Sequence, residues 1–355
     1  MQDPITPPMP AARAQAIAAE FDLRALPGDF LANPYPVYAA LRETQPVRRM
    51  PDGSYFFTRY ADLVALYRDA QGFSSDKQVE FGPKYGADSP LYEHHTHSLV
   101  FNDPPLHTRV RKLIMGALTR RAIAGMEPGL VALVDSLLDA LEQRGGGDLI
   151  EDFASAIPVE IIGNLLDVPH ADRAPLRGWS LAILGALEPT LSPEQQALGN
   201  RSVSEFLDYL RTLVAQRRKT PGDPEHDVLT RLIQGEASGD RLSEVELLQN
   251  CVFLLNAGHE TTTNLIGNAL ISLQEHPQEK ASLLQTLQAT APDAAAQETV
   301  LTLAVDEFLR FESSNQLSNR RALRATTVGG VELPEGALVT LCIGAANRDP
   351  AQFAQ

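Results

Sequence analysis

The sequence predicts a mainly helical fold with small β-sheets, that is, an α+β protein. Apolar residues recur at helical spacing through several long segments, the longest of which covers residues 243–276. Short β-branched and aromatic runs bounded by Pro, Asp and Gly occur near the start and the end of the chain. Hydrophobic residues make up 44% of the 355 residues, so the chain can bury a large core.

Taken in order, the patterns first predict a helix, a hairpin and a second helix. The helix covers residues 34–43, the hairpin covers 47–58 around Pro51-Asp52-Gly53, and the second helix covers 60–69. Further helices are predicted over residues 123–143, 157–166, 173–187, 195–217 and 243–276.

The last part of the chain predicts strands, and no break in composition separates it from the helices. Residues 328–336 predict a tight hairpin, and residues 338–343 predict a strand. Because no internal repeat or linker is found, the sequence predicts a single domain over residues 1–355.

The charge and the cysteine content exclude several classes of protein. Lys and Arg number 30 against 45 Asp and Glu, and the net charge of -15 argues against nucleic-acid binding. No apolar run reaches membrane-spanning length and no targeting segment is found, so we expect neither a membrane association nor export. The two cysteines form no disulfide framework, which favours the cytoplasm.

The most informative segment is Asn256–Asn264, a polar stretch inside the long apolar helix. A helix that is apolar nearly all round is predicted to be buried. Gly258 and three consecutive threonines lower its helix propensity, and the Glu260 carboxylate must be desolvated unless it is paired. Such a stretch predicts the lining of a ligand cavity, with a satisfied structural network as the alternative.

This segment resembles the central long helix of the cytochromes P450, whose pattern is Ala/Gly-Gly-x-Asp/Glu-Thr-Thr. The resemblance implies that Glu260 and Thr261 are catalytic, as the acid and the alcohol that deliver protons during O2 activation. It implies that Ala257 and Gly258 leave room for O2 over the haem. A zinc-protease His-Glu-x-x-His motif is excluded, because Thr263 stands where the second His is needed.

A second motif follows an Asp-Pro-Pro turn, where a predicted helix carries His107 and Arg111 four residues apart. This spacing places both side chains on one helix face, where they suit a carboxylate or phosphate partner. Taken alone, the pair is more typical of a solvated basic face. In the P450 family a His-x-x-x-Arg of this kind binds a haem propionate, and the resemblance implies the same role here.

A third motif is Glu307-x-x-Arg310, which by itself indicates an ordinary surface ion pair. In the P450 family this pair is buried and structural, with a third partner from a loop further along. The segment after it resembles the one that carries a second propionate-binding arginine, here Arg320. Ser314-Asn315 replaces the usual Pro of that segment, so the loop shape is expected to differ.

The family pattern also includes a segment that this sequence lacks, a Phe-x-x-Gly-x-x-x-Cys-x-Gly loop whose thiolate ligates the iron. The only cysteines are Cys251 and Cys342, which have the pattern of small buried hydrophobes, and we assign no metal ligand. We therefore expect a cytochrome P450 domain that is incomplete at its C-terminus, a fragment that is inactive by itself.

The resemblance implies that the parent protein is a monooxygenase that carries haem b. It would oxidise a small apolar organic substrate with O2 and with electrons from a ferredoxin or a flavodoxin. The alternative is a haem-free P450-like helper that activates a partner enzyme such as a glycosyltransferase. The monooxygenase is favoured, because a cofactor-free protein has no need of the residues that would serve the haem and O2. These residues are Glu260, Thr261, His107, Arg111 and Arg320.

Two variable regions are expected to decide which substrate enters: residues 77–99 on the distal side of the haem and residues 179–199 as a mobile lid. The first contains His94, His95 and His97, which invite a zinc-site interpretation. Since no spaced second pair of ligands completes such a site, the sequence predicts a loop with solvated histidines.

Overall fold

The computed structural model describes residues 9–235 and 239–353, which fall into two compact units. Unit 1 contains residues 1–74 and 265–355, and unit 2 contains residues 75–264. Most of the proline-rich first ten residues lies outside the described part of the chain. The prediction of a single domain over residues 1–355 stays a prediction.

Unit 1 combines a few helices with all the strands of the described chain. Its helices are α1 (Ala11–Glu20), α2 (Tyr35–Thr44), α3 (Tyr60–Arg68), α14 (Pro277–Thr290), α15 (Ala294–Phe311) and α16 (Ile343–Ala346). Its strands are β1 (Val47–Arg49), β2 (Tyr55–Phe57), β3 (Phe73–Ser74), β4 (Leu317–Ala322), β5 (Thr326–Val328), β6 (Val331–Leu333) and β7 (Leu338–Cys342).

The main sheet of unit 1 has the strand order β1-β2-β7-β4-β3. Strand β2 is wholly buried, as its Tyr-Phe-Phe sequence requires, and it runs parallel to β7 and antiparallel to β1. Strands β5 and β6 form a separate hairpin that turns at Gly329 and Gly330, both with positive φ. A two-residue turn of this kind needs residues that adopt φ > 0 without strain, which is why glycines occupy it.

Unit 2 is helical. Its helices are α4 (Gln78–Tyr85), α5 (Pro90–His97), α6 (Leu106–Ala117), α7 (Arg120–Ala124), α8 (Glu127–Arg144), α9 (Ala156–Leu165), α10 (Leu176–Gly185), α11 (Pro193–Lys219) and α12 (Val228–Gln234). One large apolar cluster runs through the unit and includes Phe206 and Leu210 of α11 and Cys251 and Leu255 of the long helix that follows.

Helices α10 and α11 pack through an aromatic pair. The Trp179 ring of α10 stacks on the Phe206 ring of α11 with centroids 5.0 Å apart. The indole Nε1 donates to Glu205 Oε2 over 2.9 Å. Helix α11 starts with a capping box, in which Ser192 and Gln195 each bond the other's backbone N–H, so its first turn is well defined.

The longest helix, α13 (Glu244–Glu275), crosses the unit boundary at Asn264/Leu265. None of the helices in the described part of the chain combines the length and the hydropathy that a membrane-spanning segment needs.

The predicted mainly helical fold with small sheets is confirmed, and the predicted elements occur in their predicted order. The predicted helix over 123–143 differs most at its start, because a short helix ends at Ala124 and α8 begins at Glu127. The prediction of a histidine loop is wrong. Helix α5 contains the three histidines, and His94 and His95 are buried.

Candidate active site

One face of α13 is open within unit 2. Ala257, Thr261 and Asn264 are exposed, and their spacing of four and three residues places them in one line along the helix. His259 and Thr263 between them are buried. The prediction of a helix buried on all sides is therefore wrong for this line, since small and polar residues there leave a face that the apolar core of unit 2 does not cover.

The threonine hydroxyls of this segment bond back to the helix. Thr261 Oγ1 donates to the Ala257 carbonyl over 2.8 Å, and Thr263 Oγ1 donates to the His259 carbonyl over 3.0 Å. Such bonds compete with the backbone hydrogen bonds of the helix and are common where a Thr lies within a helix. The Thr261 oxygen keeps its lone pairs free on the exposed face, whereas the Thr263 hydroxyl is enclosed.

Glu260 is half-buried beside Thr261. Burial raises the pKa of this carboxyl above its ordinary value, and the negative charge of Glu188 raises it further. A raised pKa brings the carboxyl closer to neutral pH, where it can both release and take up a proton. This is the property expected of a proton-transfer residue.

Gly258 does not share the open face with Ala257. A Cβ atom at this position would lie 2.7 Å from Ile162 Cδ1 and 3.2 Å from Ile162 Cγ1 of α9. The missing side chain thus allows α9 to approach α13, and Ile162 fills the space. The role of Gly258 beside the cofactor stays a prediction.

His107 and Arg111 lie one turn apart on α6, as predicted. His107 is half-buried and borders a small cavity of about 10 Å³ together with His97 and Glu246. Arg111 is exposed and pairs with no acidic side chain in residues 9–235 and 239–353. Arg109 on the same helix differs, because it forms an ion pair with Glu246.

Arg320 belongs to unit 1, where it lies on β4. Its Nη1 donates to Asn319 O over 2.8 Å and to Ser318 Oγ over 3.2 Å, and its guanidinium lies 5.1 Å from the Tyr67 ring centroid. The propionate-binding roles predicted for Arg320 and for the α6 pair stay predictions.

The Glu307–Arg310 pair of α15 is bidentate, with bonds of 2.7 and 2.6 Å. Its third partner is the backbone carbonyl of Asn347, which accepts from Arg310 Nη1 over 2.8 Å. The two side chains are 33% and 22% exposed, so the pair is half-buried.

The sequence interpretation missed the two buried histidines of α5. His94 bonds to Gln249 and Asn256 of α13, and the His95 ring lies among the Phe81, Tyr85 and Phe101 rings. A signal was present, because the buried residues Leu91, His94, His95 and Ser98 follow helical spacing.

The two regions predicted to control substrate entry are bonded to each other within unit 2. The Tyr85 hydroxyl donates to Ala186 O over 2.6 Å, and Lys84 Nζ donates to Glu188 O over 2.7 Å. Gln196 Nε2 donates to Tyr85 O over 2.9 Å. Helix α4 is thereby joined to the loop between α10 and α11.

Both cysteines lie in the protein interior. Cys251 and Cys342 are both fully buried free thiols, and burial raises the pKa of each to about 12. A metal ligand must be the thiolate, which these environments disfavour. In the described part of the chain, no group of three or more His, Cys, Asp or Glu side chains could hold a metal ion.

Known proteins resemble this chain over nearly its whole length. The sequence profile described as Cytochrome P450 matches residues 183–355. The vitamin D(3) 25-hydroxylase of Pseudonocardia autotrophica is 36% identical over 327 residues, which cover 91% of this chain and 75% of that enzyme. The chain belongs to the cytochrome P450 family.

Two further P450 proteins support this assignment. The cytochrome P450 monooxygenase PikC of Streptomyces venezuelae is 34% identical over 340 residues, covering 94% of this chain and 76% of that one. The crystal structure of P450BioI in complex with hexadec-9Z-enoic acid ligated acyl carrier protein superposes with a TM-score of 0.82 at 29% identity, covering 93% of this chain and 81% of that chain. The fold is therefore the P450 fold, and the protein is a haem monooxygenase, an oxidoreductase.

Several residues of unit 2 have the chemistry that a haem, the cofactor of the P450 family, requires of its surroundings. The open Ala257–Thr261 face of α13 offers small and hydroxyl groups to a ligand, and Arg111 offers an exposed guanidinium without an acidic partner among the described residues. These residues fit the distal side and a propionate of a haem. The two buried cysteines do not fit the role of iron ligand.

Proposed function

We propose that this protein is a haem-thiolate monooxygenase that oxidises a small apolar organic substrate with O2. The observation that carries the proposal is the adjacency of Glu260, whose carboxyl pKa is raised, and Thr261, whose oxygen lies on the open face of α13. The bound haem would activate O2. The polypeptide would position the haem and the substrate and would deliver protons.

We propose that the two residues would move a proton in two steps. The Thr261 hydroxyl donates its hydrogen bond to the Ala257 carbonyl, so the Thr261 oxygen can only accept a hydrogen bond on the open face. Turning its hydroxyl away from Ala257 would then make it a donor. The half-buried Glu260 carboxyl, protonated more readily than an exposed one, would restore the proton from solvent.

The basic residues would hold the cofactor. We propose that His107 and Arg111 bind one haem propionate and that Arg320 binds the other, because charge-assisted bonds of this kind are strong. The substrate class rests on the names of the similar proteins, which include a vitamin D(3) 25-hydroxylase and a P450 in complex with an acyl carrier protein that is ligated to hexadec-9Z-enoic acid.

The electron donor in this proposal is a ferredoxin or a flavodoxin.

We propose that the protein is located in the cytoplasm, where a reducing environment keeps thiols such as Cys251 and Cys342 free.

We also propose that the iron ligand is supplied by residues outside these 355, since both cysteines are buried and protonated. The test is to read the coding DNA beyond codon 355. An in-frame Phe-x-x-Gly-x-x-x-Cys-x-Gly loop would support the monooxygenase and mark this chain as a fragment. Its absence would contradict the haem-thiolate assignment.

The proton-transfer roles are tested by Thr261→Ala in the haem-loaded full-length protein. We expect NAD(P)H consumption to continue while the product formed per NAD(P)H falls by roughly tenfold or more, because proton delivery is lost. Product and NAD(P)H are measured in the same reaction, together with H2O2.

Thr263→Ala is the matched control. Thr263 makes the same type of bond to the carbonyl four residues earlier, but on the buried side of α13. This variant should retain the product yield per NAD(P)H. Equal yields from Thr261→Ala and the unmodified protein would show that Thr261 has no part in proton delivery.

A further inference from the structure

The first turn of α13 carries a carboxylate that bonds two helices. Glu246 and Ser243 form a capping box, in which Ser243 N donates to Glu246 Oε2 over 2.8 Å and Glu246 N donates to Ser243 Oγ over 3.2 Å. The other carboxylate oxygen, Oε1, accepts from Arg109 Nη2 of α6. Glu246 thus defines the start of α13 and binds α6 at the same time.

Arg109 uses both terminal nitrogens of its guanidinium at this junction. Besides the Glu246 bond, its Nη1 donates to Arg241 O over 3.2 Å and lies 3.8 Å from Asp240 Oδ1. A planar guanidinium that is bonded at two nitrogens has little freedom to turn. Because the Glu246 side chain is only 14% exposed, solvent screens this ion pair less than it screens a surface pair.

The segment that leads into α6 is attached to the same part of α13. Asn250, one turn after Glu246, accepts from Leu99 N over 3.1 Å at its Oδ1, and its Nδ2 donates to His97 O over 3.3 Å. Asn250 Nδ2 also donates to Glu246 O over 2.8 Å. Asn250 therefore attaches the chain just before α6 to the second turn of α13.

The helical positions relate Arg109 to the two residues that we propose bind a haem propionate. Helix α6 buries one apolar stripe, which consists of Val110, Leu113, Ile114 and Ala117. At about 100° per residue, Arg109 lies roughly 90° to one side of this stripe, and His107 and Arg111 lie roughly 90° to its other side. The stripe and Arg109 together set the rotation of α6 about its axis, and this rotation decides where His107 and Arg111 lie.

A small rotation of α6 is enough to misplace these two groups. A rotation of about 20° moves an atom about 6 Å from the helix axis by about 2 Å. A charge-assisted hydrogen bond to a carboxylate has a donor–acceptor distance of about 2.7 to 2.9 Å and is lost after such a shift. The apolar stripe alone does not prevent the rotation, because hydrophobic burial is not directional.

From this geometry we infer that Glu246 is a positioning residue for cofactor binding, which acts through Arg109 to hold α6 in the rotation that haem propionate binding requires. His107 lies close to Glu246, since both border the small cavity of about 10 Å³. The inference rests on the proposed propionate-binding role of His107 and Arg111. It adds a residue that lies 137 positions after Arg109 in the chain and that none of the sequence motifs includes.

The test uses two porphyrins that differ only at the propionates. Protoporphyrin IX carries two ionised propionates, and in its dimethyl ester both are neutral. The dissociation constants are measured by porphyrin fluorescence, and neither probe contains iron, so iron ligation does not enter the comparison. The unmodified protein should bind the free acid at least about tenfold more tightly than the ester, because the ester cannot form the charge-assisted bonds.

Glu246→Gln should reduce this preference by about threefold or more, because α6 is then free to rotate. The substituted glutamine keeps the capping box, since its side-chain oxygen still accepts from Ser243 N, but it offers Arg109 no charged acceptor. Arg109→Gln should have the same effect, and the double variant should reduce the preference no further. Arg109→Lys, which retains the charge without the planar guanidinium, should keep part of the preference.

Glu244→Gln is the matched control. Glu244 lies in the same turn of α13 and also pairs with an arginine of another helix, with 2.5 Å between Glu244 Oε2 and Arg218 Nη2. This pair joins α13 to α11 and does not involve α6, so the variant should leave the ratio of the two dissociation constants unchanged. General damage to the fold would weaken the binding of both porphyrins and would not move this ratio.

An unchanged ratio in either Glu246→Gln or Arg109→Gln would overturn the inference, and so would an equal reduction in Glu244→Gln. Circular dichroism first shows that each variant is folded, and if Glu246→Gln does not fold, Arg109→Gln decides alone. Equal binding of the two porphyrins by the unmodified protein would contradict the proposed propionate-binding role itself, and the inference would fail with it. The two failures are therefore distinguishable.

Discussion

Individual buried side chains of unit 2 are held in one protonation state by their surroundings. His94 and His259 are each 1% exposed, and burial lowers the pKa of both to about 4. The neighbouring charge of His97 adds to this effect at His94, and that of Arg177 adds to it at His259. The folded protein therefore needs neutral imidazoles at both positions.

Acid is expected to destabilise the protein through these histidines. Their folded pKa lies below the unfolded value of 6.5, so their contribution is complete above pH 6.5 and is lost as the pH falls towards 4. Each such group reduces the free energy of unfolding by up to about 1.4 kcal/mol per pH unit in that window.

Urea unfolding at pH 7 and pH 5 measures how much free energy of unfolding is lost between the two pH values. This loss should be smaller in His94→Gln than in the unmodified protein. In His170→Gln, where the side chain is 77% exposed, the loss should equal that of the unmodified protein. A free energy of unfolding that is the same at both pH values would contradict the assignment of neutral buried histidines.

Arg310 contributes to stability through its shape as well as its charge. Its bidentate pair with Glu307, its bond to Asn347 O and its position 5.1 Å from the Phe353 ring all use the planar guanidinium. Arg310→Lys should lower the free energy of unfolding by about 1 to 2 kcal/mol, measured by urea denaturation.

The control for this substitution is Arg211→Lys. Arg211 also pairs with an acid three residues away, but the side chains are 57% and 76% exposed. That change should be worth less than about 0.5 kcal/mol. Equal effects of the two substitutions would show that the Arg310 network adds nothing to an ordinary surface pair.

At the scale of elements, the approach of α9 to α13 depends on Gly258. Gly258→Ala adds a Cβ atom 2.7 Å from Ile162 Cδ1, so Ile162 must move, at a cost of about 1 to 3 kcal/mol. The better helix propensity of Ala offsets about 1 kcal/mol of this cost. We expect a net loss of stability.

Ile162→Val provides the matched background, because it removes the Cδ1 atom. In that background Gly258→Ala should become neutral or stabilising by up to about 1 kcal/mol. Thermal and urea unfolding of the four proteins complete the cycle. If Gly258→Ala had the same effect in both backgrounds, the contact between residue 258 and Ile162 would not limit how closely α9 approaches α13.

The order and type of the main elements could be predicted because long periodic segments such as residues 243–276 have few alternatives. The open face of α13 could not, since it depends on which neighbours cover the helix, and hydropathy does not encode them. The family motif pointed to Glu260 and Thr261. It gave no indication of His94, whose partners Gln249 and Asn256 are more than 150 residues away in the chain.

At the scale of the whole molecule, one helix is common to both units. Helix α13 contributes Cys251 and Leu255 to the core of unit 2, and its later residue Asn268 bonds to Glu312 O within unit 1 over 3.1 Å. Neither unit is expected to keep its structure when this helix unwinds. The predicted single domain should therefore unfold in one cooperative transition.

Scanning calorimetry of the protein checks this expectation. A calorimetric enthalpy equal to the van't Hoff enthalpy would support one domain. Two resolved transitions would instead assign units 1 and 2 to separate domains.

The stacked Trp179–Phe206 pair has an optical consequence. The chain contains one tryptophan, so its fluorescence arises from the contact between α10 and α11. Separation of these helices would replace an aromatic neighbour and the Glu205 bond with water, and the emission would move to longer wavelength. The protein thus carries its own label in the region predicted to be the lid, and opening rates can be followed by stopped-flow fluorescence without any added dye.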